Sequence, residues 1–313
     1  MFQNATQQMK SSQIGAFFLT KLLFLFLPNS SLFSQNDNFI KNYYPYINKA
    51  EISIIDSNFK EAYINYEKAF KNVQSPFVKD IHNALICSIK LRYKESIYIH
   101  LKQMANKGLP FENLIKNNYL KNYIQGNNLR KFYIQNYKDK KNNDLILKLE
   151  TLLNSDQIIR KLPNVTKKQI WSQDSINAKN LLDLFSIYGF PNEEEIGYKG
   201  VLPNEDLYSL IIIHQNQLTG VFNFSEILFK NVLLGRILPN TALLLMFFQE
   251  KSDSLGFEYT SFKSILNFEI KKINKYRENW GIDNIENYST KSKFSKINKN
   301  FEFNIKELNI YKN

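Results

Sequence analysis

An internal echo at an offset of 34 residues constrains this chain more than any other feature. Asn58-Phe59-Lys60-Glu61-Ala62-Tyr63-Ile64 returns as Arg92-Tyr93-Lys94-Glu95-Ser96-Ile97-Tyr98, and Ala50 maps onto Ala84 at the same offset. A fixed period of this length marks stacked supersecondary units, each of which buries its apolar face only against its neighbours. The recurring residues are those that let two helices touch. Small Ala50 and Ala84 allow a first helix to approach a second, Phe59 and Tyr93 wedge between helices, and Ala62 and Ser96 keep the second helix close. Ala62, Tyr66 and Ala69 follow the i, i+4, i+7 spacing of one helix face.

On these residues the segment from about Tyr43 to Ala105 resembles a tetratricopeptide-like repeat, with His100 and Gln103 standing in the second unit where an aromatic and Ala are expected. The resemblance implies that the first helices turn Tyr44, Ile47, Glu51 and Ile54, then Val78, Ile81, Leu85 and Ser88, toward a groove. It therefore implies a protein or peptide partner bound against Tyr44, Ile47, Glu51, Val78, Ile81 and Leu85. The competing reading is that downstream helices cover this mostly apolar face, since no ring of Lys, Arg and Asn stands there to clamp a peptide carboxylate. Two units are fewer than such stacks need, so helices over Phe111 to Gln125 and Leu129 to Leu153 are expected to finish it.

Composition narrows the function classes. At 43% hydrophobic and 14% aromatic residues the chain is too apolar to stay unfolded, and its length suggests about two domains. One cysteine, Cys87, excludes an internal disulfide; with only His82, His100 and His214 beside it, a Cys/His zinc cluster is excluded too. No metal or cofactor is expected. The net charge of +12 invites a nucleic-acid reading, but the positive residues are mostly lysines spread along the chain. Even the run Lys138 to Lys141 reads as a solvated helix end. No nucleic-acid partner is expected.

The amino terminus has the order of a secretory signal: Lys10 and Lys21 without acidic residues, the apolar run Leu22 to Leu27, Pro28, and a Ser-rich stretch ending at Ser34. The apolar stretch from Ile14 to Leu27 is too short to cross a bilayer and is interrupted by Lys21, so no stable membrane span remains after cleavage. Export to the periplasm, the cell surface or the medium is the expected destination. Cys87, within Ala84-Leu85-Ile86-Cys87, reads as a buried small hydrophobe.

Beyond Pro163 the punctuation is helical. Asp174 is expected to cap a helix ending at Tyr188 before Gly189 and Pro191. Asn204 opens Leu207 to Gln217, Ser225 opens a helix closed by Gly235, and Pro239 opens one through Phe248. A last helix spans about Phe268 to Trp280. Leu210 to Ile213 is β-branched enough for a strand, but its caps and neighbours favour helix. The expected fold is all-α: a signal over 1–34, repeats over 35–153, a second helical domain over 154–288 and a loosely ordered tail over 289–313.

Leu152-Leu153-Asn154-Ser155-Asp156-Gln157-Ile158-Ile159-Arg160, then Asp174-x-x-Asn177, Gly189-Phe190-Pro191, Ile196-Gly197, Ile213-His214-Gln215 and Asn274-x-x-Arg277-x-x-x-Gly281 follow one another in order. This succession, over about 145 to 285, is similar to the uncharacterised bacterial family DUF6624. Asn216 stands where such proteins tend to have an acidic residue, and Phe247 and Phe248 lie near an expected Asp-Arg pair. The resemblance implies a fold and a residue list and no reaction.

Two chemical readings follow. His214 stands on an otherwise apolar helix, and a histidine is the natural proton carrier near neutral pH. Asp156 or Asp174 can orient its ring and Arg160 can hold an anionic group, which makes a hydrolase-like acid/base site. Alternatively His214 is a core histidine, Asp156 with Arg160 is an i, i+4 helix pair, and Asp174 with Asn177 is a cap. No nucleophile elbow, phosphate loop or His-Glu-x-x-His motif occurs. The expectation is thus an exported helical binding or scaffold protein acting through the repeat groove, with a hydrolase-like enzyme centred on His214 as the alternative.

Overall fold

Four consecutive helices carry the 34-residue echo. After a single turn α1 (Phe39–Asn42), α2 (Tyr44–Ile55) pairs with α3 (Phe59–Lys71), and α4 (Val78–Leu91) pairs with α5 (Lys94–Asn106). Ala50, Ala62 and Ala84 are fully buried, as close helix contact requires. Tyr63 on α3 and Ser96 on α5 share a hydrogen bond of 2.7 Å between their hydroxyls. The Asn58 side chain accepts from the Glu61 amide and starts α3. This computed structural model describes residues 38–125, 128–218, 222–247, 270–303 and 305, all within the unit Asn36–Asn313. The signal-like segment 1–34 lies outside the described residues.

Shorter helices follow: α6 (Phe111–Leu114), α7 (Asn118–Gln125) and α8 (Leu129–Asn136). The long pair α9 (Asn143–Lys161) and α10 (Lys167–Tyr188) comes next, α9 capped by Asn142 through the Leu145 amide. A capped turn, α11 (Glu193–Ile196), leads into a two-residue antiparallel ladder, β1 (Tyr198–Lys199) with β2 (Leu202–Pro203), in which Tyr198 faces Pro203. Then come α12 (Asp206–Leu218), α13 (Ser225–Leu233), α14 (Pro239–Phe247), α15 (Ile270–Asn279) and α16 (Ile285–Ile297). Apart from that ladder the described residues are helix and loop, so the fold is all-α. Leu210 to Ile213 is helical, with Ile211 and Ile212 buried, because a helix there packs against α9, α10 and α14.

Three local expectations are corrected. Asp174 caps nothing. It lies inside α10, whose start is set by a capping box in which Thr166 accepts from the Gln169 amide and Gln169 from the Thr166 amide. The boundary at 153 falls inside α9, and one hydrophobic core runs from Phe39 through Phe303. The chain after Tyr288 is also not loose as far as Phe303. Asn284 caps α16 through the Asn287 amide, Lys291 is buried, and Phe301 and Phe303 stack on Phe59 and Phe294. Hydropathy could not signal this, because α16 is anchored by a buried lysine.

Lys291 contacts both Glu51 and Asp283, and Lys79 contacts Glu51 at 3.2 Å and also Asp80. Tyr43 donates to Asp80 at 2.6 Å and accepts from the Phe77 amide. These charges are buried and mutually paired, the condition under which charge burial is tolerated. Burial pushes the Glu51 carboxyl up, but Lys291 and Lys79 more than offset it and hold it below its ordinary range. Gly281, at φ +70°, lets the chain cross α2 closely: a Cβ there would lie 2.7 Å from Cδ2 of Tyr44. Among the described residues no helix is long and apolar enough to cross a membrane.

Candidate functional site

Helices α9, α10 and α12 pack against one another, and each contributes polar side chains where they meet. Asp156 and Arg160 stand one turn apart on α9, Asp174 and Asn177 three residues apart on α10, and His214 on α12. The four residues singled out for chemistry therefore come together. Nδ1 of His214 lies 2.9 Å from Oδ2 of Asp156 and 3.1 Å from Oδ1. Arg160 bridges the two acids. Its NH1 donates to the Asp156 carbonyl at 2.7 Å and to Oδ1 at 3.0 Å, and its NH2 donates to Oδ1 of Asp174 at 2.6 Å.

Burial is graded across the cluster. The side chains of Asp156 and Asp174 are 1% and 0% exposed, whereas those of Arg160 and His214 keep 20% and 19%. The acids thus form the floor, and the ring and guanidinium reach toward solvent. Burial pushes the Asp174 carboxyl up, with Arg160 pulling the other way. Around the acids, Gln157 donates to Oδ2 of Asp156 at 2.7 Å, and Ser155 and Gln173 both donate to Oδ1 of Asn177 at 2.9 Å. Two buried atoms, Oδ2 of Asp174 and Nδ2 of Asn177, have no hydrogen-bond partner among the described residues.

The arrangement has a clear protonic consequence. An ionised Asp156 can only accept, so the neutral ring donates through Nδ1–H and carries its lone pair on Nε2. No described residue hydrogen-bonds Nε2. Ser155 donates its hydroxyl to Asn177, which leaves it poorly placed as a nucleophile.

The other histidines are structural. His82 is buried, which lowers its pKa to about 4. His100, also buried, meets Glu67 at 3.2 Å, a carboxylate brought to it from α3 by the helix stack rather than by spacing along its own helix.

The proposed groove residues fare differently. Tyr44, Ile47, Glu51, Val78, Ile81 and Leu85 are at most 4% exposed. The expectation of an open peptide groove on them is corrected: the Gly281 turn and α16 pack onto α2, and Lys291 takes Glu51. What remains beside Tyr44, Asn48, Glu51 and Asp283 is a cleft of about 20 Å³, room for roughly one water.

Sequence reasoning missed the inner support. Asn177 was legible as a cap partner of Asp174 and within the Asp174-x-x-Asn177 motif, not as a support of the cluster. Ser155 and Gln157 stood in the Leu152 to Arg160 motif without a role and Gln173 carried no signal, because polar contacts between α9 and α10 obey no fixed spacing. Comparisons with family models, curated proteins and solved structures match none of them to this chain.

Proposed function

We propose that this chain is a hydrolase-like acid/base protein centred on His214, working outside the cytoplasm. The observation that carries the reading is the buried Asp156 carboxylate held on Nδ1 of a ring that is itself part-exposed. This is the arrangement that fixes a tautomer and leaves Nε2 to exchange a proton with a substrate or water. Arg160, part-exposed and tied to both acids, holds the floor rigid and supplies positive charge beside the ring. Export rests on the order of charges and apolar residues over 1–34. The likeness to tetratricopeptide and DUF6624 sequences rests on the motifs quoted for each. The burial of the six residues assigned to the repeat groove favours this reading over a scaffold role through that face.

Two measurements test the proposal. Carbethoxylation of the full chain at neutral pH followed by peptide mapping is expected to label His214 and spare His82 and His100, whose rings are buried. Turnover on a panel of ester, amide and phosphoester substrates is expected to fall at least 100-fold in His214→Ala. An unlabelled His214, or turnover untouched by its loss, overturns the reading.

A further inference from the structure

We propose that Asp156, Asp174 and His214 form a binding site for one divalent transition-metal ion of the zinc or manganese type. The inference rests on the reading that this cluster is the functional centre and not on His214 acting as a base. A carboxylate oxygen from each aspartate and a ring nitrogen of His214 lie within 4.8 Å of one another. Ligands bound at about 2.1 Å can be no more than about 4.2 Å apart, so the three atoms need only close by several tenths of an ångström. The Nδ1 to Oδ2 distance of 2.9 Å between His214 and Asp156 is already that of two neighbouring ligands, and an ion bound there replaces the Nδ1 proton, which leaves to solvent as the ring takes its Nε2–H form.

A second observation is independent of the clustering. Oδ2 of Asp174 is buried without a partner, and a buried carboxylate oxygen left unpaired is costly unless something completes it. Arg160 is compatible with an ion. It binds Oδ1 of each aspartate, which leaves Oδ2 of Asp174 unpartnered and Oδ2 of Asp156 shared between the His214 ring and the Gln157 amide. Hydrogen bonding of one carboxylate oxygen while the other ligates is how outer-shell groups orient metal ligands. Two carboxylates against one guanidinium also leave the site net negative with a neutral ring. Imidazole with two carboxylates suits zinc, manganese or iron rather than calcium or magnesium. Three protein ligands leave a position open for water.

The test uses the full chain stripped with a chelator and titrated with Zn²⁺ and Mn²⁺. Calorimetry is expected to show one equivalent bound per chain, with affinity at least 100-fold weaker in Asp174→Asn. As a readout that needs no variant, sub-stoichiometric Mn²⁺ is expected to broaden the ring signals of His214 while sparing His82 and His100. Absence of stoichiometric binding, an Asp174→Asn variant that binds like the parent, or broadening without preference for His214 overturns the site. The two proposals fail separately: metal-free carbethoxylation of His214 and His214-dependent turnover survive a failed titration, and a positive titration survives their loss.

Discussion

His214 and Asp156 are 58 residues apart in the chain and 2.9 Å apart in the fold, with Nδ1 of the ring on Oδ2 of the carboxylate. The acid is buried and the ring is not, so the pair fixes both the orientation and the tautomer of the ring. In ¹⁵N spectra of the neutral ring the Nδ1–H form is expected to dominate. Asp156→Asn, whose amide can donate to Nδ1, is expected to shift the population toward Nε2–H, as loss of the orienting carboxylate does in triads. An unchanged tautomer ratio in the variant would show that Asp156 does not set the ring.

Glu193 is a pH-dependent joint between the repeat and the later helices. It accepts from the Val78 amide at 3.0 Å and meets Lys107 at 3.2 Å, and burial, only partly offset by Lys107, raises its pKa to about 7. The folded chain therefore binds this proton more tightly than the unfolded chain. Stability from this group is present at low pH and declines as pH rises from the ordinary glutamate range through about 7, by up to about 3 kcal/mol. Glu193→Gln keeps an acceptor and removes the titration. Its melting temperature relative to the parent is expected to rise between pH 5 and 8; a flat difference would refute the assignment.

Lys291 answers two buried acids, Glu51 and Asp283. Lys291→Ala leaves both short of a partner and is expected to cost about 3–5 kcal/mol in urea unfolding at pH 7. The Glu51 carboxyl is held low, so its contribution is present above the ordinary glutamate range and is lost as pH falls through the lowered value. The gap between parent and variant should narrow on acidification. A loss under about 1 kcal/mol would mean that α16 is not anchored by this lysine.

Gly281 combines φ +70° with a Cβ position 2.7 Å from the Tyr44 ring. Gly281→Ala must meet both the left-handed strain and the contact, for a combined cost of about 2–4 kcal/mol. Gly200 has a similar φ of +70° and open space around it, so Gly200→Ala should cost only the strain, about 1–2 kcal/mol. Equal losses at the two sites would show that the close approach to Tyr44 carries no weight.

Much of the architecture was legible along the chain. Apolar spacing marked the helices, and Asn58, Ser225 and Pro239 marked where three of them begin. The echo at 34 put α3 and α5 at equivalent places in successive units, and the Tyr63–Ser96 hydrogen bond joins them. Helical periodicity also put Asp156 with Arg160, and Asp174 with Asn177, on single faces. All of these depend on interactions within about four residues or on a fixed period, which a linear sequence displays directly.

Other features needed the folded chain. Asp174 looks like a cap when read locally, yet the Thr166-Gln169 box starts the helix earlier and carries Asp174 into the interior, where Arg160 receives it. The apolar face of α2 and α4 was visible, but its cover was not, because that cover includes a lysine-rich helix that hydropathy alone reads as solvated. Lys291 becomes a core residue only because Glu51, 240 positions earlier, waits for it. Local sequence determines which segments are helical and which side of each is apolar, since propensity and capping are short-range. Which charges are buried, and whether they meet as a site, was decided by tertiary structure, since a buried charge is stable only when a partner from elsewhere in the chain arrives within hydrogen-bond reach.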